Sequence, residues 1–298
     1  MSRVTRAAVV IGAVLLVPTA GLVIRNQVKV ARARAASAAA AEADRQRREA
    51  EERFGVPDEV VRGRAPLVAE LQPVTLSNCE LARVGGPNDG GYLMCANLMA
   101  GLESAYSYGI GKEDAWGCAV SRTHKVPVHQ YDCFEPTQVQ CPGANLRLNA
   151  ECVGPKTEML GSRPFDTLEK QIARNGDSGR RLVVKMDVES AEWEVILATP
   201  DAVFAAIDQM PMELHGVDEP RVLAGLRKLK THFYLVSVHF NNQACTAGAK
   251  PLPASAYQVL FVNKRIGVVG PPPPGSPTPA SLMAPDNPAI PDCQTIAR

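Results

Sequence analysis

The chain has 298 residues, 46% of them hydrophobic and 21% charged, and a net charge of +1. That size fits one globular domain with appendages, and the near-neutral balance argues against nucleic acid as a partner. The eight cysteines, Cys79, Cys95, Cys118, Cys133, Cys141, Cys152, Cys245 and Cys293, include no CxxC pair and no zinc-finger spacing. Structural zinc is therefore not expected. Because six of the eight crowd between Cys79 and Cys152, disulfides formed in an oxidising compartment are expected.

Residues 1–25 carry the apolar run Ala7 to Ile24, with Arg3 and Arg6 before it and Arg25, Lys29, Arg32 and Arg34 after it. Eighteen uncharged residues lie near the short limit for a membrane span, and no A-x-A site follows directly. The expectation is an uncleaved single-pass anchor rather than a cleaved signal peptide. Positive charge flanks both ends, so the side of the membrane stays open. Residues 26–70 are rich in Ala, Arg and Glu with few large apolar groups, as in a solvated helical stem and linker.

From 71 to 265, apolar runs alternate with helical patterns. Strands are predicted within Glu103–Gly111, Lys125–Pro136, Asn145–Gly154, Arg181–Val188 and Ala206–Gly216. Helices are predicted in "PFDTLEKQIARNG", "ESAEWEVILATP" and "EPRVLAGLRKLKTH". "FYLVSVHFN" and "AYQVLFVNKR" then read as two strands without a helix between them, which gives a mostly parallel sheet an antiparallel edge hairpin. Residues 266–298 are too rich in proline to add to the sheet and form an extended tail, with Cys293 placed to pin it back.

Six blocks narrow this pattern: "RVGGPNDGGYLMC", "YSYGIGKEDAW", "YDCFEPT", "KMDVESAEWEVI", "MELHG" and "HFNN". In this order they resemble the FkbM-related, methyltransferase-like domain family, over roughly Cys79 to Arg265. The resemblance implies a Rossmann-like class I methyltransferase sheet, mostly parallel, with a C-terminal antiparallel hairpin and helices on both faces. It also implies S-adenosylmethionine as cofactor and methyl transfer to a hydroxyl on a glycan-like or small-molecule acceptor. Two departures stand out. Ser190 replaces the family's usual glycine, read as a conservative change at a helix start, and no third glycine follows Gly109 and Gly111. The second makes a dinucleotide pyrophosphate site, and hence a nicotinamide oxidoreductase, less favoured.

Ligands of open α/β sheets bind at the carboxyl ends of the strands. Gly109 and Gly111 end the first strand, where a missing Cβ lets a ligand approach the backbone. A ribose diol needs an acceptor, supplied by Glu135 or Asp132; Glu135 is preferred because Asp132 reads as a surface acid or an Asx turn. Val153, beside Cys152, ends the third strand and borders the adenine. At the later strand ends stand Asp187, Glu213, His215, His239 and Asn241. Methyl transfer to a hydroxyl needs alignment and a base, with His239 or His215 as the neutral-pH candidates and Asp187 and Glu213 beside them. The alternative is a divalent metal held by Asp187, Glu213 and Asn241.

Bland readings stand beside these: a lone strand histidine is usually structural, and Asp187 and Glu189 can simply offset a helix dipole. Glu189, Glu192 and Glu194 are assigned to the solvated first turns of the next helix, with Trp193 as its core anchor. "GGPNDGGY" is turn-rich, either a lid or a loop preceding the first strand. The rival to an enzyme is a catalytically inactive domain serving as a binding module in a secretory or extracytoplasmic compartment.

Overall fold

The computed structural model describes residues 55–293 together with Glu42 and Arg45. The apolar anchor candidate and most of the stem lie outside the described residues, and among those described no helix is long and apolar enough to cross a membrane. One compact unit begins at Pro57. It opens with α1 (Asp58–Gly63) and α2 (Ala65–Glu70), assigned above to the stem. Leu67 and Leu71 enter the core, and buried Arg64 bonds Asp218 at 2.6 Å and the Gly248 carbonyl at 2.7 Å. Residues 57–70 are thus built into the folded unit.

A β-hairpin follows, β1 (Leu81–Gly85) and β2 (Gly91–Cys95), turning through the glycine-rich "GGPNDGG" segment. The first central strand is β3 (Ser104–Tyr108), then come α3 (Ala115–His124), β4 (Pro127–Tyr131) and β5 (Asn145–Asn149). A small three-stranded sheet interrupts the pattern: β6 (Cys152–Val153), β7 (Glu158–Leu160) and β8 (Arg163–Asp166). Its last strand occupies the start of the predicted "PFDTLEKQIARNG" helix, so α4 (Leu168–Arg174) begins only after the Thr167 cap, whose side chain accepts the Lys170 N–H.

The second half holds β9 (Leu182–Met186), α5 (Glu192–Ala198), α6 (Asp201–Ala206), β10 (Ile207–His215), α7 (Pro220–His232), β11 (Phe233–Phe240) and β12 (Ala256–Asn263). The seven-stranded sheet runs β11-β12-β10-β9-β3-β4-β5. Neighbours pair in parallel from β10 through β5, while β12 is antiparallel to both β10 and β11. β11 and β12 thus form the expected C-terminal antiparallel hairpin at the sheet edge, with β12 lying between β11 and β10. The architecture is mixed α/β, largely parallel, and compatible with a Rossmann-like fold.

Strand alternation sorts the core into two layers. Tyr106, Tyr108, Tyr131, Val184 and Met186 face the helical layer, where Ile172, Trp193, Ile196, Leu226 and Leu229 pack. Ala105, Val128, Val183 and Leu260 face Trp116 and Val120 of α3 and Tyr92 and Met94 of the hairpin. Helices do lie on both faces, but on the second a β-hairpin takes the place of further helices.

All eight cysteines are paired: Cys79–Cys95, Cys118–Cys141, Cys133–Cys152 and Cys245–Cys293. This full pairing fits an oxidising, extracellular or lumenal compartment. The proline-rich tail is strapped back over the domain, with a short α8 (Pro279–Leu282) along it. Gln258 donates to Asp286 at 2.7 Å, Asn242 donates to the Asn287 carbonyl at 2.8 Å, and the last disulfide closes the strap.

Candidate active site

Where β3, β4 and β9 end, their following loops surround a cleft of about 680 Å³. Gly109 and Gly111 line it from the first loop, Asp132, Phe134 and Glu135 from the second, and Asp187, Val188 and Glu189 from the third. Cys152, Val153 and Phe165 close one end, while Asp89 and Gly90 of the hairpin turn reach it from above. The turn thus borders the cleft while joining two strands.

The two glycines serve different needs. A Cβ on Gly109, whose φ is +71°, would fall 1.6 Å from the Asp187 carbonyl oxygen. The protein's own neighbouring loop already requires a bare Cα there. Gly111, at φ +53°, has open space where a Cβ would stand, so only its backbone conformation favours glycine. Next in line, buried Asp114 caps α3 by accepting the Gly117 N–H at 2.7 Å.

Asp132 spends its carboxylate on backbone. It accepts from Phe134 and Glu135 N–H at 2.8 and 2.9 Å through one oxygen and from Gly111 N–H at 3.0 Å through the other. This shapes two cleft loops and leaves the exposed Glu135 as the carboxylate available at the wall. The Cys133–Cys152 disulfide ties that loop to β6, and Glu135, Val153 and Phe165 all line the cleft.

Asp187 is held from two sides. Tyr92 donates its hydroxyl to Asp187 Oδ2 at 3.1 Å, and Lys185 Nζ stands 3.5 Å from the same oxygen. Burial, then the Asp187 charge, pushes the Tyr92 hydroxyl well above its ordinary value, so it stays a donor. Lys185 itself is buried and donates to the carbonyls of Tyr108 and Gly109 at 3.2 and 2.7 Å. Neither Tyr92 nor Lys185 was singled out from the sequence; the signal for Lys185 was a lysine inside an apolar strand, two residues from Asp187 and hence on the same face.

His215 lies behind this wall. The carboxylate of Glu192 accepts both the His215 backbone N–H at 2.7 Å and its ring Nδ1–H at 3.1 Å, and Trp193 Nε1 donates to the His215 carbonyl at 2.6 Å. Glu192 is 0% exposed, which corrects its assignment to a solvated helix face. The reason is backbone geometry: Glu189 and Ser190 adopt φ of +54° and +77°, so α5 starts only at Glu192 and turns that side chain inward. The same angles show why a glycine suits position 190, and the serine there is not conservative in backbone terms.

Burial lowers the His215 imidazole, but the Glu192 hydrogen bond and the charges of Glu192, Glu213 and Asp187 outweigh it and raise it to about 9. The Glu192 contact thus favours the protonated imidazole in the metal-free protein. Burial and then the Asp187 charge raise Glu213 to about 8, although Asn241 donates to it at 2.7 Å.

Glu213, His215, His239 and Asn241 do not line the cleft. His239 stands apart with its Nε2 3.0 Å from Asp292 of the tail, because the strap covers that strand end. Ligand atoms of Asp187, Glu189 and His215 lie within 4.8 Å of one another, a set that shares only Asp187 with the alternative metal set Asp187, Glu213 and Asn241. No model of a known protein family matches the chain, and no curated protein does.

Proposed function

We propose that the protein is an S-adenosylmethionine-dependent methyltransferase acting on a hydroxyl of a glycan-like or small-molecule acceptor in an oxidising compartment. One observation carries the reading: Gly111, Glu135, Val153 and Asp187, from four separate segments, line a single cleft at the carboxyl ends of parallel strands. Glu135 would hold the ribose hydroxyls, and Val153, Phe165 and Phe134 offer apolar surface to the adenine. The loop from Gly109 to Gly111 would meet the methionine part. S-adenosylmethionine, when bound, supplies an electrophilic methyl group on a sulfonium.

Asp187 is the group assigned to take the acceptor's hydroxyl proton, since it borders the cleft and is oriented by Tyr92 and Lys185. His215, held as a cation, gives electrostatic support behind it. Calorimetric titration of the disulfide-intact protein with S-adenosylmethionine tests the reading. Glu135→Gln should weaken binding about tenfold while leaving the melting temperature in place, a loss of one charge-assisted hydrogen bond. Absence of binding by the wild-type protein would overturn it.

The full disulfide pairing favours a second reading, a binding module that keeps the fold without turnover, because an oxidising compartment must import a cofactor made elsewhere. Transfer of a labelled methyl group to acceptor extracts separates the two.

A further inference from the structure

Behind Asp187 the chain gathers more carboxyl groups than basic partners. Carboxylate oxygens of Glu192, Glu189 and Glu213 lie 3.1, 3.6 and 3.8 Å from ring nitrogens of the single imidazole of His215. Among the described residues, no other basic side chain forms an ion pair with any of these three, and Asp187 is paired only with Lys185. Four carboxylates therefore share one ammonium and one imidazole. Separately, Glu192 is fully buried and its second oxygen, Oε2, has no hydrogen-bond partner. Buried carboxylates left short of partners are costly, so such a group needs a proton or a cation nearby.

We propose that Asp187, Glu189 and Nε2 of His215 form a binding site for one divalent metal ion of the Mn²⁺ or Zn²⁺ class, at the end of the cleft where the acceptor enters. One ligand atom from each residue already lies within 4.8 Å of the other two. The Glu189 side chain is 88% exposed, so it is free to draw in and close the remaining gap around an ion with ligands at about 2.1 Å. Glu192 supplies the feature that a plain acidic cluster lacks. By accepting from Nδ1 it leaves Nε2, directed at Glu189, as the ring nitrogen that gives up its proton to solvent when an ion binds, and a buried carboxylate on the far nitrogen is the usual support of a metal-bound histidine.

The donor set decides the class of ion. One imidazole and two carboxylates suit Mn²⁺ or Zn²⁺ better than a soft Cu(I), and the imidazole disfavours Mg²⁺ and Ca²⁺. Three protein ligands leave positions for water or for oxygens of a ligand. Here the inference rests on the methyltransfer reading: with one oxygen of Asp187 on the ion, the ion would hold the acceptor hydroxyl and make its proton easier to lose to the other oxygen of Asp187. Ion binding itself does not depend on that reading.

The test is titration of metal-free, disulfide-intact protein with Mn²⁺, following loss of the free-ion electron paramagnetic resonance signal, with Zn²⁺ as competitor. One equivalent should bind, and Glu189→Gln and His215→Gln should each weaken binding by more than tenfold. Glu192→Gln should weaken it about 10–100-fold, as expected for a support residue. Because Glu189 is exposed, its variant should keep the wild-type melting temperature and thus separate ligation from folding. Glu135→Gln should leave Mn²⁺ affinity unchanged. No stoichiometric binding of either ion, or binding indifferent to Glu189→Gln and His215→Gln, overturns the site. Protein that binds Mn²⁺ but not S-adenosylmethionine would sink the methyltransfer reading alone, while the reverse would retire the metal site alone.

Discussion

The two ends of the cleft are built on opposite principles. At the glycine end, Asp132 is saturated by three backbone N–H groups, Asp114 caps a helix, and a disulfide ties the walls together. At the acidic end, Glu189, Glu192 and Glu213 compete for one histidine, and two successive non-glycine residues hold positive φ. The first is complete as a structure, and a ligand only adds contacts to it. The second sets more carboxyl groups than basic partners beside two strained backbone positions.

Substitutions can break or sharpen this contrast. The largest effect is expected from Gly109→Ala, whose Cβ would overlap the Asp187 carbonyl at 1.6 Å. It should cost about 3 kcal/mol or more in denaturant unfolding, whereas Gly111→Ala, with open space and only its φ to strain, should cost about 1 kcal/mol. Equal costs would show that the two loops are not packed as described. Replacing Cys133 and Cys152 together by serine should remove about 2–4 kcal/mol and loosen the Glu135 loop, read as faster amide exchange from Asp132 to Thr137.

Next comes a dependence on pH that belongs to the strap over the acidic end. Burial raises Asp286 to about 6, with His239 and Arg83 opposing and Asp89 and Asp292 reinforcing the shift, while Gln258 donates to its carboxylate. The folded state thus holds this proton more tightly than the unfolded chain, whose carboxyl titrates near 3.8. Its contribution is fully present below pH 3.8 and declines as pH rises to about 6. Asp286→Asn should flatten that part of the melting-temperature profile; an unchanged slope would place the titration elsewhere. The smallest effect is a gain: Ser190→Gly, at φ +77°, should stabilise by about 1 kcal/mol, or about 2–4 °C in melting temperature.

Much of this was legible in the residues. The seven sheet strands follow from apolar runs punctuated by glycine and proline, and Asp187 follows from its place at the end of "RLVVKMD". The preference for Glu135 over Asp132 is also consistent with Asp132 being consumed by a turn. What stayed hidden depends on contacts distant in sequence. The hairpin that covers the second face and brings Tyr92 to Asp187 bridges 95 positions, and α3 has only Trp116 and Val120 as large buried apolar groups. Glu192 was misassigned because a helix drawn from Glu189 has a different phase from one that begins at Glu192. The tail's attachment rests on side-chain bonds such as Asn242 to Asn287, which no hydrophobic period announces.

The contact between Gly109 and the Asp187 carbonyl has a consequence for binding. With no slack between the loop after β3 and the loop after β9, a molecule that shifts the glycine turn must also shift the backbone carrying Asp187. On the proposed methyl-transfer reading, occupation of one end should then change affinity at the other, by the same factor in either direction. Calorimetric titration checks this: Mn²⁺ affinity measured with and without saturating S-adenosylmethionine should differ, and identical affinities would contradict the coupling.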